Sequence, residues 1–595
     1  MPEEHAKPVG SGTTLVVVVH GLGVLPHRME DVRAAACEAY GPGTVVRVPE
    51  MPYARWLSGT RATRIVADLL SEIDRWVQEA APTRIVLVGH SVGATIARRT
   101  FLVAAGCPDD FRAEGDLATE KPRAWADKVE RVVMLAAFNR GWKISARMGW
   151  IYSILFNIVG LVGHLVPGWT PTAFDFRIGA PFMAQTRLNW LAYRRSQQAS
   201  HPRDPARPDQ PILIQLLGTQ DDLVSPVDQV DLTVDGTGQA LIAGPNDPPD
   251  PGPEAQDYFL IELPFTDHKQ AVILEGDAAA QARRVLVLDA LKRGRVGLST
   301  IALDPALLSD EIEGVDETVR DTVFVIHGIR DDGFWTHRIA ERVRAAGSPT
   351  GRNQATVFRS WTPSYGYFAM LPFVLPWIRR EKVEWFMDQY VTAFAQYPKS
   401  DFHYVGHSNG TYLAARALQD YPALHFRNVL FAGSVVRRDY PWLPLVDSGR
   451  VARFQNVCAG GDWVVALLPK SVEWFRKFDL GGAGFDGFRD AGKRPAITEF
   501  KYLRGGHGAG IAEPHWPKIA AFIVDGTPFA PDRNDPETLY EPTPDPSIAA
   551  LGKAHIGIAA VLGIGLLVVW LCFKLGGLFG LLLAVLLIRF VVLRV

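Results

Sequence analysis

Apolar positions along this chain fall into two alternating patterns. Short apolar runs occur, unbroken at Leu15–Val19, Ile85–Val88 and Val132–Ala136, and with one polar residue each at Ile212–Leu217 and Phe259–Leu263. Such runs suit strands buried on both faces. Between them, Arg61–Ala80 carries Ile65, Leu69, Ile73, Trp76 and Val77 at helical spacing on one face. The order then repeats. Strands are expected at Val323–Ile326, near Thr356, at Phe402–Val405, at Val429–Ala432, and near Val451–Val457 and Glu499–Leu503. Helices are expected from near Thr336 and over about Glu381–Gln396, where Val383, Phe386, Met387, Tyr390 and Phe394 face inward. This alternation predicts an α/β fold with a mainly parallel sheet flanked by helices, built twice.

Pro/Gly-rich stretches set the boundaries. Domain one runs over 13–293, with an insertion at about 140–205. The linker is 294–319, domain two is 320–525, and 526–552 reads as a Pro-rich, semi-rigid tether. The 595 residues, 48% of them hydrophobic, are enough for two cores, since one core rarely grows past ~250–300 residues. Within the insertion, Trp150–Trp169 is read as a cap helix, because Asn157, His164 and Pro167 argue against a membrane span. Gly236–Gln256 is read as a surface loop. Domain two has no comparable insertion; its apolar surplus, Tyr367–Ile378, precedes the Ser408 segment.

The region 553–595 changes the picture. Two apolar runs, His555–Phe573 and Leu575–Leu593, each reach about 28 Å as helix, close to the ~30 Å hydrocarbon thickness. They read as a transmembrane hairpin, with Lys553, Arg589 and Arg594 near its outer ends. One tilted span plus an interfacial helix is the alternative. The first residues carry no charged-then-apolar leader pattern, so both domains are expected on the cytosolic side of the membrane.

Charge and cysteines remove other classes. A formal net charge of −2 without a basic stripe leaves no nucleic-acid footprint. Four scattered cysteines form no C-x-x-C pair, so no disulfide framework or metal site is indicated. No phosphate-cradling or dinucleotide motif is present, and no cofactor is implied.

The chemistry lies in two repeated segments, L-V-G-H-S-V-G around Ser91 and Y-V-G-H-S-N-G around Ser408. Each follows a strand-like run, and each domain has an earlier run ending in His20-Gly21 or His327-Gly328. A serine hydroxyl needs an imidazole to take its proton, a carboxylate to fix that imidazole, and N–H donors for the oxyanion. Its tight turn needs small neighbours, which Gly89, Gly93, Gly406 and Gly410 supply.

These motifs resemble the α/β-hydrolase superfamily, in its lipase/esterase-like branch, over most of 13–293 and 320–525. The resemblance implies the chain order Ser, acid, His. After Ser91, Asp221 and Asp222 compete in L-L-G-T-Q-D-D-L-V. Matching this against C-A-G-G-D-W-V-V puts Asp221 opposite Asp462, and Asp222 opposite Trp463. Asp221 and Asp462 are therefore the expected acids. His268 and His507 follow at 47 and 45 residues, with His515 the weaker candidate. By the same resemblance, the oxyanion donors are Leu22 with Val92, and Ile329 with Asn409. His20 and His327 then brace loops, and His90 and His407 pack beside the serines.

The expected function is a membrane-anchored serine hydrolase cleaving carboxylic esters of lipids or other acyl groups, at one or two Ser-His-Asp sites. The alternatives are a catalytically silent tandem scaffold and an acyltransferase using the same triads.

Overall fold

The computed structural model describes residues 12–54, 58–106, 115–142, 170–199, 211–221, 256–303, 315–329, 333–347, 358–365, 373, 376–467, 469–473, 479–530, 540–541, 543–553 and scattered positions between 563 and 577. Backbone contacts divide the chain into two compact units. One is Met1–Val315 with Tyr390–Gln396; the other is Asp316–Gln389 with Tyr397–Val595.

Domain one runs β1 (Thr14–Val19), α1 (Glu30–Tyr40), β2 (Thr44–Arg47), α2 (Ala62–Ala80), β3 (Arg84–His90), α3 (Val92–Ala105), β4 (Val129–Leu135), α4 (Pro181–Ala199), β5 (Ile212–Gly218), β6 (Tyr258–Leu263) and α5 (Ala278–Lys292). The sheet order is β2-β1-β3-β4-β5-β6, with every pairing parallel. The unbroken apolar runs are explained by burial on both faces. Leu15, Val17 and Val19 join one core with α2 and α3 residues. Val16 and Val18 join a second core with α1 and α5 residues on the other face.

Domain two runs β7 (Asp321–Ile326), α6 (Phe334–Gly347), β8 (Phe358–Trp361), α7 (Pro376–Gln396), β9 (Asp401–His407), α8 (Asn409–Asp420), β10 (Phe426–Ala432), β11 (Val451–Ala459), α9 (Trp463–Leu467), β12 (Ile497–Leu503), α10 (Trp516–Asp525) and α11 (Pro546–Lys553). Its parallel sheet has the order β8-β7-β9-β10-β11-β12, the same path as domain one. One face holds Val323, Val325, Ile339, Val343, Ile519 and Phe522. Aromatic rings pack elsewhere in its interior, with Phe324 edge-on to Phe386 and Trp442 stacked on Phe454 at 3.5 Å.

This strand order reverses direction between the first and third strand of each domain. The crevice at their carboxyl ends is where ligands bind in open α/β sheets. His20-Gly21 follows β1 and Ser91 follows β3; His327-Gly328 follows β7 and Ser408 follows β9.

Three parts of the sequence reading change. The helix α4 lies inside the expected cap insertion, yet Phe182, Met183 and Trp190 on it belong to the core. Arg99 of α3, itself buried, reaches α4 through the Gln185 carbonyl at 3.4 Å and through Asn189 Oδ1. The start of the expected linker belongs to domain one: Arg295–Ser299 is helical and Leu303 bridges antiparallel to Leu260. The second half of the expected tether is seated on domain two. Tyr502 and Glu541 exchange backbone hydrogen bonds of 3.1 and 3.0 Å, and α11 packs on α9.

The expected cap helix at Trp150–Trp169 and nearly all of the loop at Gly236–Gln256 lie outside the described residues. So does most of the expected transmembrane hairpin at 553–595. Among the described residues, no helix is long and apolar enough to cross a membrane. The described helical positions of this region include exposed Leu566, Leu567, Trp570, Leu571 and Phe573.

Candidate active site

Both serines stand in backbone conformations that cost free energy. Ser91 has φ 55° and ψ −125°; Ser408 has φ 53° and ψ −121°. A non-glycine residue at positive φ is a strained outlier, and such strain clusters at functional sites. Close packing makes the flanking glycines obligatory. A Cβ on Gly93 would meet the Val19 and His20 carbonyl oxygens at 2.4 Å, and one on Gly410 would meet the Ile326 oxygen at 2.5 Å. A Cβ on Gly89 would meet Ala94 Cα at 2.3 Å, and one on Gly406 would meet Tyr404 Cε1 at 2.7 Å.

In domain one the Ser91 hydroxyl donates to His268 Nε2 at 2.9 Å. His268 Nδ1–H donates to Asp221 Oδ2, also at 2.9 Å. The Asp221 side chain is almost wholly buried. A buried carboxylate on Nδ1 fixes the tautomer that leaves Nε2 free to accept a proton. Asp222, the competing aspartate, lies outside the described residues.

Domain two is assembled differently at one point. His507 Nδ1–H points at both oxygens of Asp462, at 2.9 and 3.1 Å, and the Asp462 side chain is fully buried. Among the described residues, however, no hydrogen bond joins Ser408 to His507. A local reason lies at the end of β10. Leu135 and Ala432 accept from the Ser91 and Ser408 N–H, so Ala136 and Gly433 occupy matching places. Both have positive φ, 46° and 55°. Domain one has a methyl group there. In domain two, His507 Cε1 lies 2.9 Å from where that methyl would stand. The His507 ring therefore rests in space that Ala136 fills in domain one. His515 is buried beside Phe529, with ring centroids 5.5 Å apart.

The expected oxyanion donors have suitable backbone freedom. Ser91 N–H and Ser408 N–H are tied to Leu135 and Ala432 at 2.9 and 3.1 Å. The next residues, Val92 and Asn409, open α3 and α8, where a helix leaves its first N–H groups without internal partners. On the other side, Gly23 N–H donates to the Tyr53 carbonyl and Val24 N–H to the Gly21 carbonyl. Leu22 N–H and Ile329 N–H have no partner among the described residues. Both His-Gly loops touch the nucleophile: a Cβ on Gly21 would come within 3.1 Å of Ser91 Cβ, and one on Gly328 within 2.7 Å of Ser408 Cβ.

His20 and His327 brace these loops. His20 Nδ1–H donates to the Gly21 carbonyl at 3.0 Å, while Nε2 accepts from Met51 N–H at 3.0 Å. Burial holds its pKa below the usual histidine value. His327 donates from Nδ1 to the Gly328 carbonyl at 2.8 Å, and its Nε2 accepts from the Ser364 hydroxyl at 3.0 Å.

Two further pairs support the site, the first of them missed by sequence reasoning. Tyr53 donates to the His20 carbonyl at 2.9 Å. Tyr365 lies 2.9 Å from the His327 carbonyl and 2.8 Å from that of Gly328, and accepts from Asn409 Nδ2 at 3.1 Å. Each tyrosine comes shortly after the second strand of its domain, in M-P-Y-A and T-P-S-Y-G; only that shared Pro/Tyr placement could have drawn notice. The second pair is His90 and His407. Each donates from Nε2 to the backbone carbonyl of the histidine in its own acid pair, His90 to His268 at 3.0 Å and His407 to His507 at 3.1 Å. Burial and the neighbouring His268 ring push His90 down to about 4, so it is neutral near pH 7.

Among the described residues, no cluster of His, Cys, Asp or Glu could hold a metal ion. No family model matches the chain, and no curated protein does. Solved structures with similar parts include phospholipase PlaB from Legionella pneumophila, at 13% identity over 54% of this chain and 72% of that one, with TM-score 0.30. A soluble variant of monoglyceride lipase from Saccharomyces cerevisiae matches at 11% identity over 50% and 89%, with TM-score 0.29. The monoacylglycerol lipase of Paleococcus ferrophilus matches at 16% identity over 47% and 95%, with TM-score 0.27. Likenesses this weak identify no family; the case rests on the geometry of the two sites.

Proposed function

We propose that this chain is a serine hydrolase of carboxylic esters with two α/β-hydrolase domains, attached to a membrane through 553–595, and that domain one is a working catalytic site. The observation that carries this reading is the continuous Ser91–His268–Asp221 hydrogen-bond chain, with both links at 2.9 Å.

The reaction follows from those contacts. Ser91 Oγ attacks the ester carbonyl carbon as its proton passes to His268 Nε2. The carbonyl oxygen becomes an oxyanion between the Leu22 and Val92 N–H groups. Asp221 stabilises the imidazolium that forms. The C–O bond to the leaving alcohol then breaks, and His268 returns its proton to that oxygen. Water repeats the sequence on the Ser91 acyl ester, releasing the acid and restoring the hydroxyl.

Domain two has the same parts with Ser408 and His507 apart, so a slower second site is the reading for it. Catalytic hydrogen bonds are often long before substrate binds. A lipid or long-chain acyl substrate is favoured by the apolar runs of 555–593 and by exposed Leu566, Trp570 and Phe573.

The test is labelling with a fluorophosphonate, with peptide mapping, in wild type, Ser91→Ala and Ser408→Ala. Label on Ser91 with turnover of a short-chain ester is the expected result. Folded protein that takes no label on either serine and turns over no ester would replace this reading with a silent scaffold. Ester consumption that yields new esters only when an alcohol is added would replace hydrolysis with acyl transfer.

A further inference from the structure

The loop that carries Asp462 is fastened to the root of the apolar C-terminal region. Gly460 and Gly461 precede Asp462. Asp545 N–H donates to the Gly460 carbonyl at 3.0 Å. A Cβ on Gly460 would meet Glu541 Oε2 at 3.2 Å. Glu541 exchanges two backbone hydrogen bonds with Tyr502 of β12, and Tyr540 bridges antiparallel to Leu503. From there α11 packs against α9, the helix opening one residue after Asp462, and against the turn Pro469–Val472.

This arrangement leaves little slack. From Pro546 to Lys553 is about 12 Å of helix at ~1.5 Å per residue. The apolar run 555–573 begins two residues later, so a membrane holding that run lies close to the acid loop. The residue at the exposed start of α9 is Trp463, with 58% of its surface open although Asp462 beside it is fully buried. Tryptophan is the side chain enriched at the level of lipid headgroups, where one ring serves both apolar and polar surroundings. The matching position in domain one is an aspartate, Asp222, which has the opposite preference.

We infer that domain two sits with its acid-loop face on the bilayer, Trp463 at headgroup level, so that its substrate is an ester drawn from the membrane. This deepens the proposed function and rests on it for membrane attachment. The occupant of the Trp463 face is the lipid surface, because α11, which packs on α9, leads within two residues into the apolar run 555–573, whose described positions include exposed Leu566, Leu567, Trp570, Leu571 and Phe573.

The experiment uses the full chain in phosphatidylcholine/phosphatidylglycerol vesicles, with Cys37, Cys107 and Cys572 replaced by Ser. An environment-sensitive fluorophore is attached to Trp463→Cys or, separately, to Lys399→Cys. Lys399 is a half-exposed residue just before β9, at the amino ends of the parallel strands, whereas Trp463 follows the carboxyl end of β11. Expected are co-flotation with the vesicles, blue-shifted emission at position 463, and several-fold stronger quenching there by a headgroup-borne nitroxide than at 399. Flotation with equal, water-like quenching at both positions overturns this inference and leaves membrane attachment standing. Failure to float overturns both. Neither readout depends on turnover, so a loss of ester hydrolysis is scored separately.

Discussion

The ring of His90 is bonded to the main chain of His268: its Nε2–H donates to the His268 carbonyl oxygen at 3.0 Å. One residue of the elbow thus holds the proton acceptor's loop while the next, Ser91, holds its ring. His407 and His507 repeat the relationship at 3.1 Å. The interaction needs a proton on Nε2, and burial keeps His90 in the neutral form, which then carries its one ring proton there.

A stability signature follows from this. His90 is pushed down to about 4 in the folded chain, against 6.5 for the ordinary side chain. The unfolded chain therefore binds more protons between these values. Stability from keeping His90 neutral is fully present above about pH 6.5 and is lost as pH falls towards 4, by up to about 3 kcal/mol. His90→Gln retains an N–H donor but no titration. Its melting temperature is expected below wild type at pH 7, with the gap narrowing at pH 5. A gap that stays constant from pH 7 to pH 5 refutes the account.

Labelling rates are expected to differ between the two serines. Ser91 already donates to His268, whereas Ser408 has no bond to His507. Fluorophosphonate should modify Ser91 at least about ten times faster than Ser408, a part of the ~10²–10⁴ that a fully positioned base contributes. Time-resolved peptide mass mapping reads this directly. Equal rates would mean that the resting position of His507 has no influence on reactivity.

Gly433→Ala tests what sets that resting position. The new methyl would stand 2.9 Å from His507 Cε1, where domain one already carries the Ala136 side chain. Positive φ at this position costs an alanine about 1 kcal/mol, a modest loss of melting temperature. The displaced ring is expected to approach Ser408 and raise its labelling several-fold in Ser91→Ala protein. Slower labelling of folded protein would show that the ring has moved the wrong way.

Asp221→Asn tests the tautomer argument. An amide in place of the carboxylate permits the Nε2-protonated tautomer, which cannot accept the Ser91 proton. By analogy with other triads, turnover should fall by about 10⁴ with little change in KM. A loss of less than tenfold would assign the orienting role to another group.

The tyrosine braces give a graded prediction. Tyr53→Phe removes one bond to the His20 carbonyl, and Tyr365→Phe removes contacts to His327, Gly328 and Asn409. At about 1 kcal/mol for a typical net hydrogen bond, ester turnover at the respective serine should fall roughly fivefold and by more than tenfold. KM should change little, because the loops position oxyanion donors that matter most in the transition state. Equal small effects on kcat and KM would mark the tyrosines as ordinary packing residues.

Much of this architecture was readable from the chain because buried parallel strands are unbroken apolar runs. Leu15–Val19 and Ile85–Val88 could hardly be anything else. The edge strand β2 escaped, since Thr44–Arg47 is four residues long and half-buried throughout. The carboxylate on each site histidine was legible because the two halves carry matching Asp-to-His intervals. What sequence could not give were contacts between segments far apart in the chain. The Tyr53 and Tyr365 hydroxyls reach carbonyls 33 and 38 residues upstream, and a carbonyl acceptor leaves no mark in the residue it belongs to. The composition of 526–552 suggested a tether for the same reason. Glu541 and Asp545 dock through their backbones, so their side chains do not announce it.

That docking decides where the chain can be cut. The last helix of the domain-two core, α10, ends at Asp525, and composition alone would recommend stopping there. A chain ending at that point would leave the Gly460 carbonyl and both main-chain groups of Tyr502 to solvent, and would uncover one side of α9. A shortened form meant to keep domain two intact should instead extend through Lys553, keeping the strap and discarding only the apolar segment beyond it.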